Sequence, residues 1–182
     1  MTDKCCSTAD NAKCNCSETS GMKLRVQYLY LDLQTCDRCI GTDEVLDEVM
    51  EILAPALNLA GLDVEYDKVE MTTEEIAREY RFLSSPTIRV NGEDICQTVA
   101  ENSCGCCSDI SGADVDCRVF VYKGKAYEVP PNEMLAAAIL EKAFGSKASG
   151  CVCNEYNLPE NLKAFYEGKK NQQCTCGCSC NQ

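Results

Sequence analysis

From Leu24 to Leu33 the chain is dominated by apolar residues, nearly without a break from Tyr28 onward. Such a Tyr-, Leu- and Val-rich run predicts a strand buried on both faces. The pattern then changes period. Val45, Leu46, Val49, Met50, Leu53 and Leu57 recur at three- and four-residue spacing, with Asp43, Glu44, Asp47, Glu48 and Glu51 opposite them, which predicts an amphipathic helix. Pro55 is expected to kink or end it. Leu62, Val64 and Tyr66 alternate with Asp63, Glu65 and Asp67, the pattern of a half-exposed strand. Thr72 with Glu75 reads as a capping box opening a short helix to about Arg81. Two hairpins are predicted: Thr87 to Ile95, turning at Asn91-Gly92, and Val119 to Val129, turning at Lys123-Gly124. A helix starts near Pro131-Asn132 and stops at Gly145, and Pro159 to Gly168 could form one more amphipathic stretch.

Setting the second hairpin aside, the order is strand, helix, strand, helix, strand, strand, helix. This is an α/β class, with helices covering a small mixed four-stranded sheet. The expected organisation is a flexible N-terminal tail over 1–22, one folded domain over 23–145 with a cysteine-rich insertion at about 96–118, and a linker and tail over 146–182. On that division, deleting everything from Ser146 onward should leave the domain's stability nearly unchanged.

Composition narrows the function. The 182 residues include 17 Lys and Arg against 29 Asp and Glu, a net charge of −12, so the basic surface that nucleic-acid binding needs is missing. No run of about 18 apolar residues offers a membrane span. Cysteine is the outlier: there are 17, with no histidine and no tryptophan. Lack of histidine excludes His-activated nucleophiles and mixed Cys/His metal sites. The first twenty residues are polar and lack the apolar segment of an export signal. A reducing, cytoplasmic setting is therefore expected, where cysteines serve metal binding or redox turnover more often than disulfide scaffolding.

The cysteines are clustered. Cys36-Asp37-Arg38-Cys39 lies where the first strand hands over to the first helix. Unpaired N–H groups at a helix start stabilise a thiolate, and Arg38 adds a cation beside it. Two intervening residues let these thiols close a disulfide or chelate one soft ion, so the same spacing also reads as half of a structural zinc site.

Ser84-Ser85-Pro86-Thr87 directly precedes the third strand. With Cys36-x-x-Cys39 and the Asn91-Gly92 hairpin, it makes the chain resemble the thioredoxin-like superfamily, nearest to the glutaredoxin-type minimal fold. The resemblance covers about Lys23 to Cys96 and the last helix to Gly145. It implies that Cys36 is the exposed nucleophile, that Cys39 resolves, and that Ser85–Pro86 is cis beside them; the helix start and Arg38 make Cys36 the more acidic thiol of the pair. It further implies that Pro86 and its neighbours Ser85 and Thr87 line a substrate groove, where the Thr87 backbone pairs with a substrate strand; Arg38 is placed at the same groove. The chain departs from the family pattern in having Gln34-Thr35 before the dithiol, Asp-Arg inside it, and Cys96-Gln97 where glutaredoxins carry a double glycine.

Cys104-Gly105-Cys106-Cys107, with Cys96 before and Cys117 after, could present four thiolates to one ion. Such a set suits zinc and equally Cu(I), Hg(II), As(III) or an iron–sulfur cluster; the alternative is a secondary redox pair. Cys151-x-Cys153 and Cys174-x-Cys176-x-Cys178-x-Cys180 resemble metallothionein-like ligand runs. The expected function is that of a dithiol protein working in thiol–disulfide exchange or in thiol-linked handling of soft metals or metalloids. Its partners would be a disulfide-bearing protein, a small thiol, or the ions themselves. A non-enzymatic metal-binding protein or chaperone and a zinc-stapled domain are the alternatives, with zinc or another thiophilic ion as the conceivable cofactor.

Overall fold

The computed structural model describes residues 22–96, 98–145 and 156–174. The first strand, β1 (Met22–Tyr30), is central to a four-stranded mixed sheet. It pairs in parallel with β2 (Leu62–Glu70) and antiparallel with β3 (Thr87–Val90), which pairs with the short β4 (Glu93–Asp94). The order is β2-β1-β3-β4, so the alternating strand lies at an edge and the continuous apolar strand inside, as their patterns require. Asn91 and Gly92 carry φ of 53° and 82°, the left-handed pair that a two-residue hairpin needs.

Period-two alternation along β1 divides the core in two. Leu24, Val26 and Tyr28 pack with Ile88 and Val90 against Leu46, Val49 and Met50 of α1 (Asp37–Leu59) and Leu135 and Ile139 of α4 (Asn132–Phe144). Leu29 and Leu31 belong to a second cluster with Ala77 of α2 (Glu74–Glu79), Phe82, Cys36, Cys39 and Cys107. Between β4 and α4 the chain forms β5 (Ala100–Ser103), α3 (Gly105–Ser111), β6 (Asp116–Tyr122) and β7 (Lys125–Tyr127). Those strands make a separate antiparallel sheet in the order β5-β6-β7. The cysteine-rich insertion is thus a folded unit, and the hairpin at Lys123-Gly124 is its outer half.

Two expectations change, and a third is narrowed: Pro55 does not end its helix. Helix α1 runs through Pro55 to Leu59. Pro55 and Glu51, whose carbonyl loses its partner, are both exposed, so water solvates the freed group. The cap of α2 is Thr73 rather than Thr72, its hydroxyl accepting from the Ile76 N–H at 3.4 Å. The other change concerns 146–182. Helix α5 (Glu160–Cys174) and the residues leading into it bury Leu158, Leu162, Phe165 and Tyr166 in the second core cluster, beside the cysteines. It lies so close to α3 that a Cβ on Gly168 would collide with the Ser111 carbonyl. The folded body therefore reaches past Gly145 and includes α5. Among the described residues, no helix is long and apolar enough to cross a membrane.

Candidate metal centre

The turn after β1 is built by one carboxylate. Asp32 accepts from the N–H groups of Gln34 (2.9 Å), Thr35 (2.6 Å) and Cys36 (3.1 Å), and from the Thr35 hydroxyl (2.9 Å). Burial pushes its carboxyl up, but these bonds outweigh it and hold the group below the ordinary range. The turn delivers Cys36 as the N-cap of α1, with extended dihedrals (φ −85°, ψ 102°) and its thiol free of any capping bond. Cys39 follows one turn later, where its carbonyl accepts from the buried Tyr28 hydroxyl at 2.7 Å.

The insertion repeats this arrangement. Cys104 is the N-cap of α3, again extended (φ −122°, ψ 104°) and without a side-chain cap, and Cys107 follows at the same spacing. Gly112, at φ 68°, ends α3 in the left-handed conformation. The Ser108 hydroxyl accepts from the Val115 N–H at 3.0 Å, and the Cys104 N–H donates to the Val115 carbonyl at 2.9 Å. These bonds turn the chain into β6, whose second residue is Cys117.

Docking of the two units joins their thiols. The sulfurs of Cys36, Cys104, Cys107 and Cys117 all lie within 4.8 Å of one another. Cys107 donates to the Cys36 sulfur at 3.6 Å, and Cys117 donates to that of Cys107 at 3.3 Å. Tetrahedral Zn–S bonds of about 2.3 Å place sulfurs roughly 3.8 Å apart, so one ion at the centre of this group needs only small side-chain adjustments. A polynuclear cluster would hold its sulfurs further apart. Hydrogen bonds from Cys104, then Cys107 and Cys117, hold the Cys36 thiol well below its ordinary range. Bonds from Cys107 and Cys117 bring Cys104 down to about 7. Cys107 and Cys117 are pushed up, chiefly by giving their protons to Cys104 and its neighbours. Cys39 is pushed up by donating to Cys36 and by burial.

Several expected roles change. Cys36 is not an exposed nucleophile: it and Cys39 are both 0% exposed, because α3 and β6 close over them. Arg38 does not line a groove. Its buried guanidinium donates to the carbonyls of Asn102 (3.3 Å), Ser103 (2.7 Å) and Cys117 (3.1 Å) and pairs with Glu128 at 2.7 Å, fastening α1 to the second sheet. Ser85–Pro86 is cis, as expected, and the Ser85 hydroxyl lies 3.3 Å from the Cys39 sulfur. Ser85, Pro86 and Thr87 are nevertheless buried, and the Ser85 carbonyl accepts from the Arg118 N–H of β6 at 2.7 Å. The expected groove is interior.

Of the central cysteines, two stand apart from the group of four. Cys96 is half-buried beside Arg118 and Asp94, with its thiol pushed up by burial. Cys106 is half-buried against the same cluster but outside the group of four, and its thiol donates to Asp37 at 3.8 Å. Cys174 ends α5, while Cys151, Cys153, Cys176, Cys178 and Cys180 lie outside the described residues. Sequence reasoning missed Asp32 and the joining of Cys36 to the insertion. Asp32 carries a local signal, an Asp just before polar turn residues. The joining has only a faint one, two Cys-x-x-Cys pairs each preceding a helix.

No solved structure matches the chain. Over 111 residues it is 29% identical to an uncharacterized protein of Archaeoglobus fulgidus, a stretch covering 59% of this chain and 79% of the relative. A family model described as "Domain of unknown function (DUF2703)" matches residues 24–139, a span that holds both Cys-x-x-Cys pairs, Pro86 and Cys117 and stops short of α5. By that match across most of its length, the chain belongs to the DUF2703 family.

Proposed function

We propose that the protein binds one thiophilic metal ion, zinc by the fit of the site, through Cys36, Cys104, Cys107 and Cys117 on a thioredoxin-like scaffold. The observation that carries the metal reading is the convergence of four buried sulfurs within 4.8 Å. Uncoordinated thiols gain little from such crowding, whereas four thiolates around one soft divalent cation satisfy each other's charge through the ion. The scaffold reading is supported by the β-α-β-α-β-β order before the insertion, by the return to a helix after it, and by cis Pro86 beside Cys39. Thiol–disulfide exchange at Cys36 and Cys39 is the second reading. The contact of Ser85 with Cys39 favours it, and the full burial of both sulfurs opposes it for substrates the size of a protein.

Cobalt(II) titration of anaerobically reduced full-length protein tests the metal reading, because tetrahedral cobalt thiolates absorb strongly. Wild type should show a four-thiolate spectrum, and Cys117→Ser should lose one equivalent of bound ion with that spectrum. Identical stoichiometry and spectra for the two proteins would exclude Cys117 as a ligand and with it the four-thiolate site.

A further inference from the structure

Cys39 is a fifth buried thiol that a mononuclear site leaves unused. It lies three residues after Cys36 at the same helix start, is 0% exposed, and sits with its sulfur against the Ser85 hydroxyl. Cys36 is therefore a member of two sets, the group of four and the Cys36-x-x-Cys39 pair. The other three ligands reach the site from the insertion alone.

We propose that Cys36 is a redox-controlled ligand: formation of a Cys36–Cys39 disulfide withdraws it from the ion and releases the metal. This rests on the metal reading above. A sulfur in a disulfide has no thiolate charge to offer, so the two states exclude each other. Three thiolates would remain, in an insertion now lacking its ligand from α1. The oxidant is a peroxide, small enough to reach a site closed to larger molecules. The Cys36 thiolate attacks one peroxide oxygen and the O–O bond breaks, leaving a sulfenic acid on Cys36 and hydroxide. The Cys39 sulfur then attacks the Cys36 sulfur. The S–S bond forms, the S–O bond breaks, and the thiol proton leaves with the hydroxyl as water. Two electrons pass from the two sulfurs to the peroxide. A dithiol reductant returns them and restores the ligand.

Cys39 is well placed for this and poorly placed for ligation. Its sulfur falls outside the mutually close set of four, yet it stands one helical turn from Cys36 at the start of α1 and packs in the same buried cluster.

The experiment uses the full-length protein loaded with zinc under reducing, anaerobic conditions and then freed of reductant. Hydrogen peroxide is added, zinc release is followed with a chromophoric chelator, and disulfides are mapped by peptide mass spectrometry. Wild type should release about one ion per chain in step with a Cys36–Cys39 disulfide, and dithiothreitol should restore binding. Cys39→Ser should bind zinc normally and release it at least about tenfold more slowly. Equal release from the variant, or a mapped disulfide joining other cysteines at the moment of release, would overturn the switch and leave the metal site standing. Failure of reduced wild type to hold zinc at these four residues would overturn both. Should Cys39→Ser not fold, the disulfide map of the wild type decides alone.

Discussion

Removing α5 should unfold the protein rather than trim it. Leu158, Leu162, Phe165 and Tyr166 are each at most 2% exposed and pack in the cluster that holds the cysteines. Full burial of such a side chain contributes about 1.5–3 kcal/mol, so the four together contribute roughly 6–12 kcal/mol, an upper figure because denatured chains already bury some surface. The whole native state of a domain is stable by only about 5–15 kcal/mol. A chain ending before Tyr156 should therefore show no cooperative melt. The graded version is Phe165→Ala, which should cost about 3–5 kcal/mol and lower Tm by roughly 6–20 °C for a chain of this size. Thermal melts by circular dichroism, at one fixed concentration of free zinc, compare the variants without a shift from unequal metal binding. A Tm within about 2 °C of wild type for Phe165→Ala would show that α5 is not part of the core.

Arg38→Met leaves the carbonyls of Asn102, Ser103 and Cys117 without this donor, and should cost about 1–3 kcal/mol in urea unfolding with little change in m-value; a loss under about 0.5 kcal/mol would refute the clamp. Asp32 has a folded-state pKa below the usual 3.8, so its stabilisation is fully present above that value and fades as pH falls through the lower folded value. Asp32→Asn should thus be destabilised at neutral pH and approach wild type in acid, measured by urea midpoints across the range; a gap constant down to pH about 2 would contradict the assignment. Tyr166→Phe removes a hydroxyl that donates to the Met71 carbonyl at 2.8 Å and should cost about 1 kcal/mol, read as a lower urea midpoint.

Elements whose signal is local were legible in the sequence. β1 reads as central because its apolar run serves two core clusters, and both hairpins turn where Asn91-Gly92 and Lys123-Gly124 supply positive φ. The limits of α4 follow from Pro131 and Gly145. What escaped depends on distant contacts. β5 reads Ala-Glu-Asn-Ser and has no apolar alternation; it exists because β6 pairs with it. α3 is rich in Gly, Cys and Ser, poor helix formers, and is held by Ser108, Val115 and the close approach of α5. Spacing showed which cysteines are neighbours along the chain, but not that Cys36 meets Cys107. Arg38 misled because a cation beside a thiol suggests electrostatics, while its long side chain reaches past the thiol to backbone carbonyls.

The spacing of the four proposed ligands along the chain bears on how an occupied site would form. Cys104 and Cys107 are one helical turn apart, and Cys117 returns to them through the short connection between α3 and β6. Bringing those three to one ion closes only small loops. Joining Cys36 to Cys107 closes a loop of 71 residues, and loop-closure entropy rises with the logarithm of length. On the proposed metal reading, an ion would be captured first by the insertion in a three-sulfur state, with Cys36 arriving last as α1 docks. The last bond to form then reports that the two sheets have come together. In the unfolding direction the same order makes Cys36 the first ligand lost when the sheets part.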